Sequence, residues 1–170
     1  ERAFRRFKAA HMLMDFTDLI ERLIEQSERL PSLNALIVDE AQDMSRLQWD
    51  LVKALESKAD RTFIAGDDDQ AVFTWAGADV QSFLSHEGDV KVLKHSYRVP
   101  AEVHELADRI VNRIQNRQPK TWTPREEQGQ IIYYNHFEHV DISEGQWLVM
   151  AATNYMLNDM HEWIKSQGLL

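Results

Sequence analysis

An α/β domain built on a parallel sheet is the architecture this sequence predicts, and three observations predict it. Helical and strand-like segments alternate along the chain, separated by turn and capping signals. A strand, a helix and a second strand follow one another between residues 33 and 65, and a connection of that kind makes the two strands parallel. A dense acid cluster, Asp39-Glu40-Ala41-Gln42-Asp43, then stands directly after the first of those strands, at the strand end where open α/β sheets bind ligands.

Each element has its own warrant. Over residues 15–30, Phe16, Leu19, Ile20, Leu23 and Ile24 recur at helical spacing, with Asp15 as N-cap, Asp18 three residues on, and Pro31 ending the run. The apolar segment at residues 33–38 has the continuous character of a strand covered on both faces. After Ser45, Leu47, Leu51, Val52 and Leu55 mark a second helix, and residues 61–65 form the next strand. A third strand is expected at 90–93, and a third helix from Pro100, with Val103, Leu106, Ala107, Ile110, Val111 and Ile114 on one face. Residues 116–130, with Pro119, Pro124 and Gly129, read as a long connection. Beyond it, 130–134 and 147–152 read as strands and 154–167 as a helix capped by Gly168.

Composition narrows the function. The 170 residues carry 19 Lys and Arg against 28 Asp and Glu, a net charge of −9, so contact with nucleic acid has to be local. The chain has no Cys, which excludes disulfides, a thiol nucleophile and Cys-based metal sites. No apolar run reaches the roughly 20 residues of a spanning helix, so a soluble, cytoplasmic protein without a membrane partner is expected. The chain opens on Glu1 and stops at Leu170 just after a predicted helix, as expected of a segment of something longer.

Four groups of residues carry chemistry. Adjacent Asp39 and Glu40 after a buried strand can divide labour, one holding Mg²⁺ and the other polarising an attacking water, the Walker B arrangement; the blander reading is a helix start decorated with acids. Gly66-Asp67-Asp68-Asp69-Gln70 follows the next strand and falls at the same sheet edge. Its three acids repel one another unless a cation is near, and Gln70 has an amide able to bond both a phosphate oxygen and a water. An acidic turn is the alternative. Phe73 and Trp75 form an aromatic loop suited to stacking on bases, or to tying the loop to the core. Tyr97 and Arg98 follow the third expected strand, where Tyr can stack on a purine and Arg can meet developing phosphoryl charge, unless the pair is surface packing. Arg109, Arg113 and Arg117 repeat every four residues as a basic helix stripe, in the plainer reading a solvated face. The spacing of His136 and Glu138 with Asp141 falls in a turn, and His161-Glu162 lacks a second His at Lys165, so neither predicts a metal centre.

Taken in order, these motifs resemble the UvrD, Rep and PcrA group of superfamily-one DNA helicases. Met14-Asp15-Phe16-Thr17-Asp18-Leu19-Ile20 is similar to the stretch before that family's motif II, and Ile37-Val38-Asp39-Glu40-Ala41-Gln42-Asp43 to motif II itself. The run from Ala65 through Asp67, Gln70, Phe73 and Trp75 to Ala78 resembles motif III, and Leu93-Lys94-His95-Ser96-Tyr97-Arg98 motif IV. Lys120-Thr121-Trp122-Thr123 and Ala151-Ala152-Thr153-Asn154 resemble weaker family segments.

The resemblance implies a RecA-like P-loop NTPase motor fold, incomplete here, with residues 1–96 from a first motor domain and 97–170 from the start of a second. It implies an ATP-dependent helicase or translocase moving 3′ to 5′ on single-stranded or partly duplex DNA. Asp39 would serve Mg²⁺, Glu40 would activate the hydrolytic water, Gln70 would sense the γ-phosphate, and Arg98 would be the arginine finger. Tyr97 would pack near the adenine of ATP, and Phe73 and Trp75 would contact DNA bases. Ala76 and Ala152 stand where the family usually has Arg. No G-x-x-x-x-G-K-[ST] phosphate loop occurs, nor do motifs V and VI, so the segment is expected to be inactive without the rest of the same polypeptide. Two other readings remain: a non-catalytic RecA-like module, and a two-metal phosphodiesterase built from Asp39, Glu40, Asp67 and Asp69.

Overall fold

The architecture grows from local signals that the sequence writes plainly. In the computed structural model, which describes residues 2–169, the helix α1 (Arg2–His11) leads into α2 (Phe16–Glu25). Asp15 caps α2 by accepting from the backbone N–H of Asp18 at 3.0 Å, while the Asp18 carboxylate accepts from the Asp15 N–H at 2.9 Å, a reciprocal capping box. The Lys8 ammonium bonds both carboxylates and ties α1 to that cap. Ser45 and Gln48 form a second capping box at the start of α3 (Arg46–Glu56).

The strands β1 (Leu36–Val38) and β2 (Thr62–Ile64) flank α3 and pair in parallel, Leu36 opposite Thr62 and Val38 opposite Ile64. Helix α3 covers one face of this sheet. Trp49 and Val52 from α3 are buried with Ala41, and Leu36, Val38, Ile64, Met44 and Phe83 of α4 (Val80–Leu84) pack around them. The other face is bare: Ile37 is 75% exposed and Phe63 54%. This corrects the expectation of a strand covered on both faces. Apolar character measures what a strand is suited to bury, and among the described residues no layer reaches that side.

The later half is built around α5 (Ala101–Val111) and α6 (Leu157–Ser166). Pro100 precedes α5 as expected, and the first two helical N–H groups donate to the carbonyls of Glu127 and Gln128. Ile114 lies past the end of α5, and Val103 and Ile110 on its apolar face remain exposed. Gly168, with φ of +72°, follows α6 as its predicted cap. The strands expected at 90–93, 130–134 and 147–152 do not form, because none of these segments meets a pairing partner among the described residues. Just beyond the third expected strand, His95 makes a single parallel bridge with Thr123.

Candidate functional site: two acidic turns at one sheet edge

Both strands end in acidic turns, and a buried amide joins them. The Ala65 N–H donates to the Val38 carbonyl at 2.8 Å, and the Ala41 N–H to the Ala65 carbonyl at 3.0 Å, so the ladder continues past the strands into the turns. Gln42 is almost wholly buried beneath them. Its carbonyl Oε1 accepts from the Asp67 N–H at 3.0 Å, and its Nε2 donates to Glu40 Oε2 at 2.8 Å. The backbone N–H can only donate, so the orientation of this amide is fixed by its partners. Sequence reasoning gave Gln42 no role. The available signal was a neutral amide among three acids, Asp39, Glu40 and Asp43, where one donor can serve several acceptors.

Gly66 is the other half of this joint. A Cβ there would meet Gln42 Oε1 at 2.8 Å, Phe83 Cζ at 3.0 Å and the Ala41 backbone nitrogen at 3.2 Å. Only a glycine lets the two turns approach so closely.

Asp39 and Glu40 project from the edge as exposed side chains. Glu40 has φ of 52° and ψ of 40°, a left-handed conformation that a non-glycine residue adopts at a cost of order 1–2 kcal/mol. Its N–H donates to Asp39 Oδ1 at 2.9 Å, so the turn is closed by the neighbouring acid's own side chain. A further acidic oxygen, Asp43 Oδ1, is buried without a hydrogen-bond partner. Hard carboxylate oxygens with one left unpartnered suit Mg²⁺, which is commonly held by one or two carboxylates together with waters and substrate phosphates. Among the described residues no three His, Asp or Glu side chains converge as an all-protein metal cage.

The second turn finds its cations inside the chain. Arg117 forks onto Asp69 with bonds of 2.7 and 2.6 Å. The Lys120 ammonium, only 13% exposed, bonds Asp67 at 2.7 Å, Asp69 at 3.1 Å and Asp68 more closely still. Asp68 also accepts from the Gln118 N–H at 2.7 Å. Because α5 ends at Val111, only Arg109 of the helical basic stripe the sequence predicts lies on the helix, and Arg113 and Arg117 fall beyond it. Burial pulls the Lys120 ammonium downward, but its bonds to the three carboxylates together hold its pKa above the ordinary value. Burial likewise pushes Asp67 upward, and the bonds from Lys120 and Gln70 together hold it below the usual carboxylate value. Gln70 is exposed at the end of this turn, its Nε2 donating to Asp67 Oδ2 at 2.5 Å.

The aromatic loop follows at once. Phe73 and Trp75 sit around a 3₁₀ turn that ends at Gly77, whose φ of 102° reverses the chain. The loop is held from below, where Ala78 bridges Ser45 and the Asp79 N–H donates to the Met44 carbonyl. Trp75 is 83% exposed, and Phe73 is half exposed and outside the buried core. Tyr97 is 84% exposed, its ring meeting His95 edge-on. Arg98 is exposed and makes no side-chain ion pair among the described residues. The structure thus brings Glu40, Gln42, Asp67 and Gln70 into one bonded group, and leaves Trp75, Tyr97 and Arg98 open to solvent.

Comparison with known proteins gives this edge a family. Residues 2–91 match the model of the UvrD/REP helicase N-terminal domain. The chain belongs to that family. It is 33% identical to the ATP-dependent DNA helicase PcrA of Bacillus subtilis (strain 168), in a match covering 79% of this chain and 20% of that protein. It is 32% identical to PcrA of Staphylococcus aureus (strain Mu50), covering 83% of this chain and 21% of the relative, and 31% identical to PcrA of Staphylococcus epidermidis, covering 84% and 22%. The chain thus spans about a fifth of the length of these relatives. The helices and small parallel sheet agree with the α/β class read from the sequence, and no helix of the described residues is long and apolar enough to cross a membrane.

Proposed function

We propose that this chain is part of an ATP-dependent DNA helicase or translocase that couples hydrolysis to 3′ to 5′ movement on single-stranded DNA. The observation that carries this reading is the buried Gln42 joint, which holds Glu40 and Gln70 on one sheet edge with the exposed Trp75 just beyond. An ATPase of this kind needs a base for water, a sensor for the phosphate and a surface for DNA, and those are the three groups this edge offers. The PcrA relatives, described as ATP-dependent DNA helicases, support the same reading.

In this reading Glu40 accepts a proton from the water that attacks the γ-phosphorus, the bond to the β-phosphate oxygen breaks, and ADP and phosphate leave. Asp39 holds Mg²⁺, with Asp43 Oδ1 close by in sequence as an unsatisfied acceptor; the ion, when bound, neutralises charge on the phosphates. Gln70 trades its bond to Asp67 for one to the γ-phosphate, which makes it the sensor. Arg98, exposed and without a side-chain ion pair among the described residues, is the arginine finger, and Tyr97 packs beside the adenine. Phe73 and Trp75 stack on DNA bases, each worth about 1–3 kcal/mol. Residues 1–96 belong to a first RecA-like motor domain and 97–170 to a second, and the phosphate cradle comes from elsewhere in the polypeptide. The segment is inactive by itself on this account.

The two-metal phosphodiesterase reading loses its support at the second turn. Asp67 and Asp69 are already neutralised by Lys120 and Arg117, so they are poor ligands for a second cation. The decisive experiment measures ATP turnover by the complete polypeptide with and without single-stranded DNA, using Glu40→Gln. Turnover that rises with DNA and disappears in the variant, with nucleotide binding intact, is the expected result. Undiminished turnover in Glu40→Gln refutes the assignment, and no turnover in the unmodified protein supports a non-catalytic RecA-like module instead.

A further inference from the structure

The contacts of residues 116–123 run beyond the acidic turn. At one end Arg117 and Lys120 grip Asp67, Asp68 and Asp69, whose turn holds Gln70. At the other, Thr123 lies alongside the segment that leads into Tyr97 and Arg98. The Ser96 N–H donates to the Thr123 carbonyl at 2.9 Å, the Thr123 N–H to the Lys94 carbonyl at 2.9 Å, and His95 Nδ1 lies 3.0 Å from Thr123 Oγ1. Between the two ends, the Trp122 ring packs edge-on against His104 of α5 at 4.1 Å. Only two residues, Thr121 and Trp122, separate Lys120 from Thr123, so a shift at either end has little slack in which to be lost.

We propose that residues 117–123 form a strap that ties the Gln70 turn to the Arg98 turn, with Arg117 and Lys120 as positioning residues that set the two against each other during turnover. This rests on the ATPase reading above. Neither residue touches the reacting atoms. Both act through Asp67 and Asp69, and the Gln70 amide hangs from Asp67 by a single hydrogen bond. The fork of Arg117 on Asp69 is bidentate, which fixes direction as well as distance. Lys120 meets all three carboxylates, so when Gln70 leaves Asp67 for a phosphate, Lys120 still holds the turn in place.

The test is steady-state ATPase kinetics of the complete polypeptide, with and without single-stranded DNA, for Arg117→Ala, Lys120→Ala and the conservative Arg117→Lys, beside Glu40→Gln. Both Ala variants should lose about ten- to a hundredfold in DNA-stimulated kcat, because DNA stimulation requires the strap to set the two turns against each other, while KM for ATP and basal turnover without DNA, which does not draw on the strap, stay within about twofold. Arg117→Lys should fall between, because an ammonium keeps the charge and loses the fork. If an Ala variant fails to fold, Arg117→Lys alone decides the matter: wild-type DNA stimulation in it overturns the strap. DNA stimulation within about twofold of wild type in both Ala variants, with Glu40→Gln dead, also overturns it. So does an equal fall in basal and stimulated turnover, which marks a merely structural contact. Should Glu40→Gln remain active, the ATPase reading itself falls, a result distinct from either of these.

Discussion

Replacing Gln42 by Glu tests the joint between the two acidic turns with almost no change of shape. The amide Nε2 that donates to Glu40 Oε2 at 2.8 Å becomes a carboxylate oxygen, and the Asp43 carboxylate, 3.5 Å from that nitrogen, becomes a second like charge. Two unit charges about 4 Å apart near a protein surface repel by about 4 kcal/mol at an effective dielectric constant of about 20. Exposure of Glu40 screens part of this, so a destabilisation of about 3 kcal/mol at neutral pH follows, the scale of an uncompensated buried charge. The sign with pH is fixed. The new acid is raised in the folded state above the ordinary Glu value of about 4.3, so the penalty is absent below that value and grows as pH rises towards the folded value. Gln42→Leu keeps the bulk and removes the bonds, leaving the Asp67 N–H unpaired, for about 1–3 kcal/mol with no such pH dependence. Urea unfolding of the three proteins between pH 4 and 8 measures both effects. If Gln42→Glu is as stable as the parent protein at pH 8, or if its deficit does not shrink on acidification, the joint does not work as described.

Two further outcomes follow from the same geometry. Gly66→Ala puts a methyl group within 3.2 Å of the Ala41 backbone nitrogen, which is fixed by its bond to the Ala65 carbonyl. It should cost about 2–4 kcal/mol in denaturant unfolding from overpacking and a weakened Asp67 N–H bond, and a cost below about 0.5 kcal/mol would refute the close approach. The strap should also give the protein a signature at both ends of the pH scale. Asp67 is depressed on folding, so its contribution is present above its unfolded value near 3.8 and is lost as pH falls through the folded value. Lys120 is raised, so its contribution is full below 10.5 and is lost as pH rises through its folded value. Thermal melts should therefore show a wild-type advantage over Lys120→Met that is flat across neutral pH and shrinks towards both extremes; an advantage that varies between pH 6 and 9 would contradict it.

The parts of this molecule that its sequence makes legible are those whose causes are local. The Asp15 and Ser45 capping boxes each complete themselves within three residues, and the helices α2 and α3 begin where those caps place them. The strands β1 and β2 are equally plain, because α3 supplies the short crossover that pairs them. Pairing is what the remaining apolar segments lack, and residues 130–134 and 147–152 show that apolar character alone does not make a strand. Helix α1 drew no expectation, and what anchors it is the Lys8 pair with the Asp15 and Asp18 cap. Arg117 is the instructive case. Its spacing from Arg109 and Arg113 imitates a helix face, yet its partner Asp69 lies 48 residues away, beyond the reach of any periodicity. The requirement for a cation beside three consecutive acids is visible in the sequence, but not which side chain meets it.

The two turns are joined by unlike chemistry, and on the proposed ATPase reading the difference matters for turnover. Beneath them lies a neutral amide, buried and bonded directionally at both its oxygen and its nitrogen, which has one arrangement and costs dearly to disturb. Around the second turn lie ions, whose attraction is long-ranged and tolerant of direction at Lys120, and rigid only where Arg117 forks. A rigid joint keeps Glu40 and Gln70 at a fixed separation. The ionic grip ties the second turn to the strap, and so to the Tyr97 and Arg98 segment, while tolerating small changes of direction at Lys120. On the proposed ATPase reading, chemistry on ATP draws on the first property and coupling to DNA on the second, so a substitution at Gln42 should damage hydrolysis with or without DNA, whereas one at Arg117 or Lys120 should damage only the response to DNA.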